Sequence, residues 1–242
     1  MKKHRIPIEI WSDVACPWCA IGERRFFRAL DARPDRDVFA VVFRPFELDP
    51  EAPAPGEPLR ERLTRRYGFR AEGMMRQAGA VATAEGFAVD WERALAARTH
   101  DAHRLLAVAI REYGEGTQRR LAERFFSAQF ELGADVSSTD ELTRLAVAAG
   151  MDKSRVRRLL ASDEGEAEIQ ADIERAARLG IHSVPTFVFD GRFAVAGAQP
   201  SELFAELLEE VASEVDRARS APETNEPTEC VGEACFVPGS RT

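Results

Sequence analysis

Strand-forming residues are confined to two stretches of this chain that lie far apart, and nearly everything between them has helical periodicity. Ile6 to Trp11 (IPIEIW) has the pattern of a buried strand, and Val38 to Leu48 (VFAVVFRPFEL) is a second, rich in β-branched and aromatic residues. Between them Ala20, Ile21, Phe26, Phe27 and Leu30 recur at helical spacing, with Glu23, Arg24, Arg25 and Arg28 on the other side. Asp49 to Pro58 holds four prolines and a glycine and can continue neither helix nor central strand. Helices are then expected over Leu59–Tyr67, Ala71–Glu85, Thr99–Tyr113, Thr117–Leu132, Thr139–Ala149, Asp152–Ala161 and Glu164–Leu179, several of them ended by a glycine. Ser138 and Glu141 fit a capping box. Strand signals return at Pro185–Phe189, turn at Asp190-Gly191 and resume at Arg192–Ala196, before a last amphipathic helix from Ser201 to Arg217. The order is β-α-β, a block of helices, then β-β-α.

The four cysteines come as two close pairs, Cys16-Pro17-Trp18-Cys19 and Cys230-Val231-Gly232-Glu233-Ala234-Cys235. The first pair stands where the first helix begins, and Pro17 suits a first turn because no helical partner exists there for its N–H. Unpaired N–H groups and the helix dipole favour a thiolate at such a place, lowering a cysteine from about 8.5 to about 3.5–7.5 in C-x-x-C settings. The thiolate is the attacking species in disulfide exchange. A C-x-x-C can also be half of a zinc site or a structural disulfide.

Composition narrows the partners. The chain has 242 residues, 45% of them hydrophobic, and a formal charge of -8, so it has no excess of positive charge to neutralise the phosphates of a nucleic acid. MKKHRIPIEIW passes straight into the first strand without an apolar signal core, and no run of 18 apolar residues follows. The expectation is a cytoplasmic protein with no membrane partner, where a C-x-x-C beside an α/β pattern points to redox catalysis.

Val184-Pro185-Thr186 precedes the late strand. Together with Ser12-Asp13-Val14-Ala15-Cys16-Pro17-Trp18-Cys19, the helical insertion and Thr99-His100-Asp101-Ala102-His103-Arg104-Leu105, it resembles the DsbA-like thioredoxin superfamily over about residues 6 to 216, and within it the cytoplasmic FrnE-like branch. The resemblance implies an α/β, thioredoxin-like fold interrupted by a helical insertion. Its parts would be a thioredoxin-like domain over 1–57 and 180–217, the insertion over 58–179, and a flexible tail over 218–242 that carries the second cysteine pair. It also implies a cis bond at Pro185 facing the cysteines, exposing the Val184 backbone to an extended substrate.

On this reading Cys16 attacks, Cys19 resolves, and Pro17, Trp18, Val184 and Pro185 form the substrate groove. The activity implied is that of a protein thiol-disulfide oxidoreductase or isomerase acting on cysteine-containing proteins, with a role in oxidative stress. No metal or bound cofactor is called for; glutathione enters as a co-substrate, and thioredoxin or glutathione as reductant. Trp18 replaces the histidine that DsbA carries between its cysteines and offers no cation to a thiolate, which points to a less oxidising pair. The buried acid of thioredoxins has no obvious counterpart here, with Glu9 and Asp13 the nearby carboxyls. His182 reads as a surface residue, His100 and His103 as insertion residues lining the groove, and Met74, Met75, Phe125, Phe126 and Phe130 as core.

Cys230 and Cys235 are an odd place for a structural staple, and an auxiliary redox pair that exchanges with Cys16 is the alternative to a soft metal site. A different function class is a glutathione-dependent small-molecule isomerase or transferase. The 2-hydroxychromene-2-carboxylate isomerases share the inserted fold, but typically carry serine where Cys16 stands. A third reading is a metal-sequestering protein that uses all four thiols.

Overall fold

The strand that organises the sheet is β1 (Ile6–Ser12), buried along almost its whole length because it lies between two neighbours. The computed structural model describes residues 5–220, and the tail with Cys230 and Cys235 lies outside them. After β1 come α1 (Pro17–Asp31), a 3₁₀ turn at Arg36–Val38, β2 (Phe39–Pro45), β3 (Glu57–Pro58), α2 (Leu59–Tyr67), α3 (Arg70–Ala84), β4 (Leu95–Ala96) and α4 (His100–Val108), which runs on as a π turn over Ala109–Tyr113. The chain continues with α5 (Glu115–Phe130), α6 (Thr139–Ala149), α7 (Lys153–Leu160), α8 (Glu166–Arg178), β5 (Thr186–Phe189), β6 (Phe193–Ala196) and α9 (Ser201–Ser220).

The main sheet has the order β2-β1-β5-β6, with β1 parallel to β2 and antiparallel to β5. β5 and β6 form a hairpin whose turn residues, Asp190 and Gly191, both take positive φ, 51° and 65°. With Phe189 opposite Phe193 the loop holds three residues, and Arg192 N–H closes the turn on the Phe189 carbonyl at 3.0 Å. β3 and β4 pair as a separate two-residue ribbon within the insertion.

The alternation of β5 divides the core. Phe187 and Phe189 meet Phe26 of α1, and Phe187 also meets Phe204 of α9, with ring centroids 4.6–6.3 Å apart. Val188, on the other face, joins Trp11, Ala176 and Ile181 beneath α8. Truncating Phe26, which is fully buried, to alanine would cost about 3–5 kcal/mol.

The insertion is fastened to the open edge of β2 by side chains. Gln118 accepts from Phe43 N–H at 3.0 Å and donates back to the Phe43 carbonyl at 3.1 Å, and Glu115 accepts from Val41 N–H at 3.2 Å. An edge that would otherwise pair with another chain is thereby satisfied. Ser138 caps α6 as its spacing predicts, accepting from Glu141 N–H. Phe125, Phe126 and Phe130 are core residues and Met75 is buried, but Met74 points outward with 45% exposure. Among the described residues no helix is long and apolar enough to cross a membrane.

Candidate active site

Both cysteines sit where β1 hands over to α1. The chain turns through Asp13–Cys16, with Cys16 N–H donating to the Asp13 carbonyl at 3.0 Å, and Cys16 takes the N-cap position in extended conformation. Pro17 occupies the first helical turn, as its missing N–H permits. Cys16 and Cys19 are free thiols, 4% and 1% exposed, whereas Pro17 and Trp18 are half-buried at the rim.

The Val184–Pro185 bond is cis, and the Cys16 thiol donates to the Val184 carbonyl at 3.7 Å. Gly197 N–H donates to the Pro185 carbonyl at 2.7 Å and ties this loop to the end of β6. Gly22, one turn past Cys19, lets the loop approach α1 closely: a Cβ there would stand 2.9 Å from Pro185 Cγ.

The two thiols have different surroundings. Burial pushes the Cys19 thiol well above the usual thiol range and the adjoining Cys16 sulfur adds to it, while the Asp13 backbone and the Ser12 hydroxyl act in the opposite sense. A thiol so protonated must lose its proton before it can attack a mixed disulfide.

Glu9 is not suited to receive that proton. Burial raises it, but Arg175 and Arg44 outweigh burial and hold the carboxyl below its usual range, in contacts of 2.6–2.9 Å. Asp13 is committed as well. One carboxylate oxygen accepts from Ala15 N–H at 3.1 Å and the other from Leu48 N–H at 2.7 Å, so this side chain braces the cysteine turn against the chain leaving β2.

The carboxyl left free is Glu23, which the helical pattern of α1 places on its solvated side. It is 3% exposed, because α3 and α5 pack over that side of α1, and its Oε1 has no hydrogen-bond partner among the described residues. Burial, then repulsion from Glu123, pushes it well above the usual carboxylate range, against the opposing pull of Arg119 and Arg24. Glu23 lines a cavity of about 370 Å³ with Arg24, Arg28, Glu85, Arg119 and Glu123. Four residues beyond Cys19 on one helix, it shares a face with that cysteine, about 5–6 Å away between Cβ atoms. Its signal in the sequence is this i+4 spacing alone.

The histidines of α4 both stand against carboxylates. His103 is 3% exposed, with Nε2 3.5 Å from Asp13 Oδ1. His100 bridges Glu47, in the loop after β2, and Glu166 at the start of α8, at 2.6 Å each. The Glu47 bond, then the Glu166 bond, raises the imidazole above its ordinary range despite burial, and the His100 bond lowers Glu47 in return. His182 is exposed. Among the described residues, no group of three or more His, Cys, Asp or Glu side chains could hold a metal ion.

The model of the DSBA-like thioredoxin domain matches residues 7–209. This chain belongs to that family. A solved structure described as a probable DsbA oxidoreductase, SCO1869 from Streptomyces coelicolor, is 37% identical, covers 97% of this chain and 100% of its own, and superposes with a TM-score of 0.80. The same fold recurs at lower identity. The cytosolic disulfide reductase DsbM from Pseudomonas aeruginosa, solved with glutathione, is 15% identical, covering 88% of this chain and 99% of its own at TM-score 0.60. A 2-hydroxychromene-2-carboxylate isomerase is 13% identical, covering 88% and 97% at TM-score 0.61. The family and the 37% identical relative make this chain an oxidoreductase of the DsbA-like type.

Proposed function

We propose that this protein is a cytoplasmic protein thiol-disulfide oxidoreductase or isomerase of the FrnE-like kind, working through Cys16 and Cys19. The observation that carries the reading is the Cys16 thiol on the Val184 carbonyl, ahead of a cis proline and with a protonated, buried Cys19 behind it. In the reducing direction the Cys16 thiolate attacks a substrate disulfide. One Cys16–substrate S–S bond forms as the substrate bond breaks, and the departing sulfur takes up a proton. Cys19 then gives its proton to the carboxylate form of Glu23 and attacks the Cys16 sulfur; the Cys16–Cys19 bond forms as the Cys16–substrate bond breaks, and the departing substrate thiolate takes up a proton from solvent. Two electrons pass to the substrate, and a thiol such as glutathione or a thioredoxin restores the dithiol. Val184 offers its backbone to an extended substrate segment, and Trp18 offers an apolar face.

Cys230 and Cys235 are the auxiliary redox pair of this reading. Phe204 lies beside Phe26 and Glu209 pairs with Arg33, so α9 runs in the same direction as α1, away from Cys16. Its 20 residues span about 30 Å, so exchange between the pair and Cys16 has either to return over that length within one molecule or to take place between two.

The test is to mix the Cys19→Ser variant with a disulfide-bonded protein and map the product by mass spectrometry. A Cys16–substrate disulfide that persists is the expected result, and a Cys16–tail disulfide that grows with protein concentration would place the auxiliary pair in a second molecule. The glutathione-dependent isomerase reading, which shares the fold, gains if no mixed disulfide forms under any condition.

A further inference from the structure

Beside the cysteine turn lies a cavity of about 150 Å³, lined by Ala15 from that turn, Leu48 from the chain leaving β2, and Leu59, Leu63 and Tyr67 from α2. A largely apolar cavity of this size is enough to admit a benzene ring. It shares Leu48, Asp49, Arg62 and Arg66 with a wider cleft on the outer side of α2. Past Tyr67 the α2–α3 turn carries Phe69, which is 92% exposed, and Leu48, Tyr67 and Met74 are each more than a third exposed. Large apolar side chains exposed along α2, the turn after it and the start of α3, next to a cavity that reaches Ala15, are unusual on a free surface and mark a contact region.

The charge of this face runs against that of the whole molecule. Residues 59–76 hold six arginines and two glutamates in a chain of net charge -8. Some of these guanidiniums are already committed: Arg62 is held by Asp49 and Glu57, and Arg65 by Glu57. Arg66 is half exposed and stands 3.8 Å from Asp49, its one carboxylate neighbour among the described residues. Arg70 lies 6.0 Å from the Phe69 ring centroid and has no carboxylate partner among the described residues.

We propose that this face selects the disulfide partner: a polypeptide segment whose cysteine is flanked by a large apolar side chain, which enters the cavity beside Ala15, and by carboxylates, which settle on Arg66 and Arg70. The inference rests on the exchange chemistry assigned to Cys16. The lining of the wider cleft holds three arginines, Arg62, Arg65 and Arg66, against two carboxylates, Asp49 and Glu51, an excess of one positive charge that favours acidic groups over basic ones.

The experiment uses the full chain, recycled by dithiothreitol, on disulfide-linked peptide probes that differ only in the residues around cysteine: phenylalanine with two glutamates, phenylalanine with two lysines, and alanine with two glutamates. Two solvent-exposed ion pairs predict kcat/KM for the first probe about fivefold above the second at low salt. The ratio should shrink as ionic strength rises. It should approach one in an Arg66→Ala, Arg70→Ala variant, as the rate on the first probe falls toward that on the second. The alanine probe should be slower than the first in both proteins. Equal, Cys16-dependent rates on all three probes would overturn the selectivity and leave the exchange chemistry standing, whereas no exchange with any probe would remove both.

Discussion

Replacing Gly22 by alanine tests whether the position of the cis-proline loop governs the reactivity of Cys16. Taken as an isolated helix, α1 should gain about 1 kcal/mol from the exchange, since glycine is the poorer helix former by that amount. The new methyl, however, would sit 2.9 Å from Pro185 Cγ and 3.4 Å from both Ala198 Cα and Phe187 Cζ. Carbon atoms rest at about 3.5–4.0 Å, so Pro185 must retreat by about 0.5–1 Å. Overpacking of this kind costs about 1–3 kcal/mol, leaving a net loss of about 0–2 kcal/mol and a Tm lower by up to about 8 °C. The larger effect falls on activity. A misplacement of about 1 Å costs about 100-fold, so half of it predicts a loss of roughly tenfold in kcat/KM as Val184 moves off Cys16. Thermal melts and the turnover of a disulfide-bonded protein, run on the same preparations, measure both. A variant stabilised by about 1 kcal/mol with turnover within twofold of wild type would refute the reasoning, because the methyl would then have been accommodated without displacing the loop.

Glu23→Gln should slow the resolving step, so that the Cys16–substrate disulfide accumulates in rapid-quench experiments while the first attack keeps its rate. Its stability effect has a defined sign. Burial raises Glu23 in the folded state, so wild type loses stability as pH rises from about 4.5 through that raised value, and the variant should not share the loss. His100→Gln should flatten a different window. The imidazole is raised by Glu47 and Glu166, so its contribution is complete below about 6.5 and fades at higher pH, and urea titrations from pH 6 to pH 9 should show the wild-type decline and a level variant.

The order of the elements was legible because strands and helices here have distinct periodicities. Ile6–Trp11 and the TFVF stretch of β5 are mostly apolar and almost wholly buried, as strands covered on two sides must be, with Glu9 the one charged residue. β3 and β4 gave no signal, since two residues each carry no period. The π turn at Ala109–Tyr113 was absorbed into one longer helix for the same reason. At the candidate site, the close spacing of Cys16 and Cys19 singled them out, and Pro185 entered through the family resemblance. Glu23 was not legible, because one helix seen alone has a polar side that only the later packing of α3 and α5 turns into interior. His103 and Asp13 meet across 90 residues of sequence, a proximity that neither segment announces.

The most direct measurement is reduction of a disulfide-bonded model protein with a dithiol donor, comparing wild type with Cys16→Ser at equal concentration. Turnover by wild type and none above background in the variant is the predicted result. Equal turnover by the two proteins would contradict the account, since the chemistry would then not pass through Cys16.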